Sequence, residues 1–155
     1  MDIPGRESRD MDSQKKRVLV VDDEQLALDV ISAMVTHLGY ANEATSDGFQ
    51  ALQLLENHRF DLVIVDMVMP QIGGLLLTKL IKQQQPQIPI LGISGYYDKL
   101  SRTLTAADFA GVLPKPIKLK NLRDALKDIF SKGTSHSPGG GTTPLFNRAS
   151  ASNKP

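Results

Sequence analysis

The chain has 155 residues, is 41% hydrophobic and 23% charged, carries a net charge of +1 and contains no cysteine. That length suits one domain. The near-balanced charge excludes a strong field aimed at nucleic acid or anionic membrane, and the missing cysteine excludes a disulfide framework and thiol chemistry. No apolar run reaches the ~18–20 residues that span a bilayer, and the N-terminus has no apolar segment to serve as a signal peptide. A cytoplasmic protein is expected, with no membrane contact and no direct nucleic-acid contact.

Residues 1–16 are polar and charged without periodicity, and residues 133–155 read GTSHSPGGGTTPLFNRASASNKP. Segments of this kind bury too little apolar surface to offset their ordering entropy. They are expected to be tails or a linker, and the folded unit is expected over 17–132. Val18–Val21 is a continuous apolar run, as in a strand buried on both faces. Ala27, Val30, Ile31, Met34, Val35 and Leu38 then recur at helical spacing, and Gly39 supplies a stop. Tyr40–Ala44 is a weak second strand. Ser46 or Asp47 can cap a helix carrying Ala51, Leu52 and Leu55. Phe60–Asp66 is the second strong strand, MVMPQIGG a loop, and Leu75–Gln83 a helix in which Leu75–Leu77 is expected in the core. Ile88–Ser94 is a strand, Tyr97–Ala107 a helix, and Val112–Leu113 a short strand before PKP. Leu119, Leu122, Leu126, Ile129 and Phe130 stripe the last helix.

Strand and helix thus alternate five times. The pattern calls for an α/β, doubly wound, five-stranded parallel sheet with five helices. In such sheets ligands bind beyond the carboxyl ends of the strands, where strand order reverses. With a flavodoxin-like order 2-1-3-4-5, that point lies between strands one and three, which end at Asp22 and Asp66. Strand one supplies Asp22, Asp23 and Glu24. Strand four supplies Ser94, and strand five Lys115. Taken singly, each has an ordinary reading. An acid can start a helix, Asp66 can sit in a turn, Ser94 can be a loop hydroxyl, and Lys115 can be a solvated charge. Together they put carboxylates, a hydroxyl and an ammonium on one sheet edge.

Close carboxylates require a cation or shared protons. Oxygen-only ligands suit a hard ion such as Mg²⁺. A metal beside Asp66 leaves one carboxylate oxygen free to attack phosphorus, with Lys115 and Ser94 stabilising the transferring phosphoryl oxygens. Glu24 is then the helix-start residue. His37, His58 and His136 show no metal spacing or mutual pairing.

The motifs VLVVDDE, FDLVIVDMVMPQIGG, ILGISG and LPKPI resemble the receiver domain of two-component response regulators over about residues 17–132. The resemblance implies that Asp66 is the phosphoacceptor. It implies Asp23, Asp66 and the backbone carbonyl of Val68 as direct Mg²⁺ ligands, with Asp22 holding the metal through water. Ser94 matches the hydroxyl that turns toward the phosphoryl group, and Lys115 the lysine that pairs with it, ahead of a cis Lys115–Pro116 bond. Val68 and Tyr96 match variable positions flanking the attacking water. One departure is Val112, where the family often has an aromatic that switches rotamer. The implied partners are a histidine kinase or phosphotransfer protein and a downstream target or output domain. The implied role is a signalling switch rather than an enzyme, acting through the 99–130 surface. The alternative is a Mg²⁺-dependent phosphohydrolase with an aspartate nucleophile, as in haloacid-dehalogenase-like enzymes. Those enzymes use Asp-x-Asp-x-Thr or Val, whereas this chain has DDEQL. Residues after 132 are too few and too polar for an output module, so the expectation is a stand-alone receiver or a piece of a longer chain.

Overall fold

The structure, a computed structural model, describes residues 15–95 and 109–133. Strands β1 (Arg17–Val21), β2 (Ala41–Thr45), β3 (Leu62–Asp66), β4 (Ile90–Ser94) and β5 (Gly111–Pro114) form one parallel sheet in the order β2-β1-β3-β4-β5. Among the described residues there are four helices: α1 (Gln25–His37), α2 (Gly48–Asn57), α3 (Gly74–Gln84) and α4 (Leu119–Gly133). The helix expected over Tyr97–Ala107 lies outside the described residues.

The sheet separates two apolar cores. On one face Leu19, Val21, Val63, Val65 and Ile90 meet Ala51 and Leu55 of α2 and Leu77 and Ile81 of α3. On the other, Val18, Val20, Ile64, Leu91 and Ile93 meet Leu28, Ile31 and Val35 of α1 and Leu122, Leu126 and Ile129 of α4. Alternate residues of each central strand feed opposite cores, so these strands read as unbroken apolar runs. The edge strand β5 ends on Pro114, a position where a missing N–H costs no ladder bond.

Three local expectations need correction. Leu75 and Leu76 are exposed, and only Leu77 of that run is buried, because a helix cannot turn three consecutive residues inward. In α1 the inward stripe is Leu28, Ile31 and Val35, and Val30 is 46% exposed. Tyr40 precedes β2 instead of opening it, and its ring lies 5.2 Å from that of Phe130. The turns follow the sequence signals. Gly39 closes α1 at φ +95°, and Asp47 caps α2 by accepting from the Phe49 N–H at 2.9 Å.

Gly74 at the start of α3 fixes how closely that helix approaches the end of β3. A Cβ there would lie 2.5 Å from Met67 Cα and 2.6 Å from the Asp66 carbonyl oxygen. These are backbone atoms with nowhere to move. Gly74→Ala is expected to destabilise the fold by about 1–3 kcal/mol, the usual cost of overpacking, and to displace the backbone that follows Asp66. Urea unfolding measures the first effect. A stability within error of wild type would mean that α3 can slide without cost.

Candidate phosphoryl and metal site

The parallel register brings the carboxyl ends of β1, β3, β4 and β5 to one edge. Val21 pairs with Val65, so the next residues, Asp22 and Asp66, come together. Asp66 is in register with Ile93, and Ser94 with Pro114, which puts Lys115 one step beyond. The Lys115 N–H donates to the Ser94 carbonyl at 2.9 Å, and the Lys115–Pro116 bond is cis. Backbone geometry therefore converges the residues that the sequence separates by up to 93 positions.

Carboxylate oxygens of Asp22, Asp23 and Asp66 all lie within 4.8 Å of one another. Asp22 is fully buried, Asp66 is buried, and Asp23 is exposed at the rim. Lys115 Nζ bridges the two buried acids, at 3.1 Å from Asp22 Oδ2 and 3.3 Å from Asp66 Oδ2. The other oxygen of Asp66 accepts from the Val68 N–H at 3.3 Å, and Asp22 Oδ1 accepts from the Glu24 N–H at 3.0 Å. That second bond refines one expectation. Glu24 is the N-cap residue of α1, but its own side chain makes no capping bond. Asp22 holds the turn from two residues before.

Burial pushes the Asp66 carboxyl up to about 6, and the nearby negative charge of Asp22 adds to the rise; the Val68 N–H and Lys115 pull the other way. Burial alone would lower the Lys115 ammonium, but its pairing with Asp22 and Asp66 outweighs that, and its pKa is raised. The three acids thus hold more negative charge than one lysine neutralises. The donor set is all oxygen and partly buried, which fits a small hard cation.

Above the acids opens a cavity of about 530 Å³ lined by Asp23, Glu24, Asp66, Val68, Gly95 and Lys115. Val68 is 54% exposed there. Ser94 is fully buried at the end of β4, directly before the cavity-lining Gly95. Tyr96 lies outside the described residues. His37 and His58 are exposed and belong to neither the acid cluster nor the cavity. Val112 is buried in the core shared with α2 and α3. The Gly74 contact behind Asp66 was not anticipated, although the paired glycines of QIGG mark where the chain must pass closely.

Residues 18–127 match the response regulator receiver domain family, and the chain belongs to it. It is 34% identical over 119 residues to the response regulator MprA of Mycobacterium sp. (strain KMS), a match covering 75% of this chain and 51% of that protein. It is 38% identical over 105 residues to the putative two-component response regulator ARR21 of Arabidopsis thaliana, covering 66% and 17%. The chain thus spans about half, or less, of the length of these relatives. Among solved structures it is similar to the response regulator TrrA of Thermotoga maritima in complex with Mg²⁺-BeF. The TM-score is 0.68 at 26% identity, covering 74% of this chain and 98% of that one. A receiver domain protein of Clostridium thermocellum gives a TM-score of 0.70 at 25% identity, with 76% and 96% covered. The domain is a phosphoacceptor signalling switch rather than an enzyme, and its Asp22, Asp23 and Asp66 pocket is consistent with Mg²⁺-dependent aspartate phosphorylation. No helix among the described residues is long and apolar enough to cross a membrane.

Proposed function

We propose that residues 17–132 form the switch unit, that Asp66 is the phosphoacceptor and that Lys115, Ser94 and a Mg²⁺ ion stabilise the transferred group. The observation that carries this reading is the bridge from Lys115 Nζ to Asp66 Oδ2 beside a three-carboxylate cluster. Asp23, Asp66 and the Val68 carbonyl would hold the ion directly, and Asp22 through water. The ion would supply charge neutralisation for the phosphoryl oxygens.

In the transfer, an Asp66 carboxylate oxygen forms a bond to phosphorus while the bond from phosphorus to the donor breaks. The leaving group departs with that electron pair. With a histidine donor the leaving group is the imidazole of a kinase or phosphotransfer protein. Lys115 donates charge-assisted hydrogen bonds to the transferred oxygens, and Ser94 adds a hydroxyl donor. The cavity over Asp66 leaves room for the donor and, later, for water. The product then biases the 99–130 surface toward the form that a downstream target or output domain recognises. A bias of a few kcal/mol suffices for such a population shift.

Stoichiometry tests the reading. Incubated with acetyl phosphate and Mg²⁺, the chain should gain one phosphoryl group with a burst of one acetate per chain, and thereafter release acetate only as fast as that stable adduct is lost. Sustained turnover of phosphate esters with no stable adduct would favour a phosphohydrolase instead.

The lifetime of the adduct should depend on Val68. This side chain lines the cavity through which water approaches and has no polar atom to orient it. Val68→Asn is expected to speed dephosphorylation by roughly 3–10-fold, the scale of a modest positioning effect. The assay is a decay time course after loading and removal of donor. Unchanged or slower decay would show that Val68 does not govern water at the site.

A further inference from the structure

Beneath Ser94, on the same face of β4, stands Gly92, which leaves a gap in an otherwise filled core. Two buried side chains close it. A Cβ on Gly92 would lie 3.1 Å from Met67 Sδ and 3.3 and 3.4 Å from the ring atoms Cε1 and Cδ1 of Phe109. Phe109 is 3% exposed and Met67 6%. Both belong to the core that contains Val112.

Each side chain is tied by backbone to a different part of the site. Met67 directly follows Asp66, its N–H donates to the Ile93 carbonyl at 2.9 Å, and its carbonyl accepts from Gly74 at 3.2 Å. Phe109 directly precedes the entry to β5. The Ala110 N–H donates to the Ile90 carbonyl at 2.8 Å, and Gly92 is in register with Val112. Val112 itself is buried and aliphatic.

We propose that Phe109 is the positioning residue that couples the backbone after Asp66 to β5, through its shared contact with Met67 over the bare backbone of Gly92. The inference rests on phosphorylation at Asp66, and it assigns to Phe109 a role beyond filling the core. A movement of the chain after Asp66 displaces Met67. Met67 and Phe109 occupy one close-packed space, and close-packed interiors transmit displacement instead of absorbing it. Phe109 then shifts the start of the strand whose carboxyl end carries Lys115. The test therefore reads the coupling between the two ends directly.

The experiment compares wild type, Phe109→Leu and Phe109→Met, two substitutions that keep the core apolar and largely filled. Amide chemical-shift changes on adding beryllofluoride with Mg²⁺ are measured at Val68 and Gly95, beside the site, and at Ala110, Gly111 and Val112. In wild type both groups should respond. In both variants the response at Val68 and Gly95 should persist, while that at residues 110–112 should fall to less than half. A merely structural Phe109 would lower the melting temperature and leave both responses unchanged, which would overturn the inference. Loss of both responses together would also overturn it, by placing Phe109 upstream of the site. A wild type that responds at Val68 but not at 110–112 would overturn the coupling and leave the phosphoacceptor reading standing. A wild type silent at Val68 would overturn both.

Discussion

Lys115→Ala should cost the metal-free protein about 2–4 kcal/mol, because it leaves two buried carboxylates without their shared cation. The distances make the reason plain. Nζ is 3.1 Å from Asp22 and 3.3 Å from Asp66, and these acids are almost fully buried. Lys115 itself keeps 27% of its side chain exposed, so solvent relieves part of the loss. Mg²⁺ should restore much of the stability, since it brings replacement positive charge to the same oxygens. Phosphorylation should survive at a reduced rate, but the response of the surrounding backbone should not, because the group that draws β5 toward the phosphoryl oxygens is gone. Urea unfolding with and without Mg²⁺ measures the first effect, and amide shifts on phosphorylation measure the second. Unchanged metal-free stability, or a full backbone response, would contradict the assigned role.

Asp66→Asn should have the opposite effect on metal-free stability and the largest effect on chemistry. Burial and Asp22 raise the Asp66 carboxyl from the ordinary ~3.9 to about 6. The folded state therefore holds its proton more tightly than the unfolded state does. By linkage, this group's contribution is best at low pH and worsens as pH rises from about 4 to about 6, after which it is constant. At pH 8 the ionised group should penalise the metal-free fold on the order of 1–3 kcal/mol, and the neutral amide removes that penalty. Asp66→Asn should thus be more stable than wild type in chelator at pH 8, with the advantage shrinking toward pH 4. It should gain less from Mg²⁺ than wild type, and phosphoryl incorporation should fall at least 100-fold, because an amide oxygen is no nucleophile for phosphorus. A pH series of unfolding curves tests the sign. An advantage that grows toward low pH would refute it.

The strand–helix alternation and the residues ending each strand, Asp22, Asp66, Ser94 and Lys115, were legible because the signal is periodic and local, whereas the strand order came from the flavodoxin-like fold that the alternation suggests. Apolar strands ending in chemistry-bearing residues can be recognised one at a time, and their parallel arrangement then brings their carboxyl ends to one edge. What was missed depends on close approach in space. Nothing in GGLLLT says which leucine faces inward, because three adjacent apolar residues fit any rotation of the helix. The structure buries Leu77 and leaves Leu75 and Leu76 out, a phase set by Gly74 against Met67. Likewise Gly92 reads as a weak point in a strand until Phe109 and Met67 are seen to fill its space. Metal holding and helix starting read as alternatives for Asp22 in the sequence, yet in the structure it joins the acid cluster and also fixes the turn into α1 through the Glu24 N–H.

The most direct measurement is a peptide map of the chain after acetyl phosphate treatment, with Mg²⁺ and with excess chelator. A single alkali-labile, hydroxylamine-sensitive phosphoryl group is expected on the peptide that contains Asp66, present with Mg²⁺ and absent with chelator. Phosphoryl groups on other residues, or equal labelling of Asp66 in chelator, would contradict an Mg²⁺-dependent switch built on that aspartate.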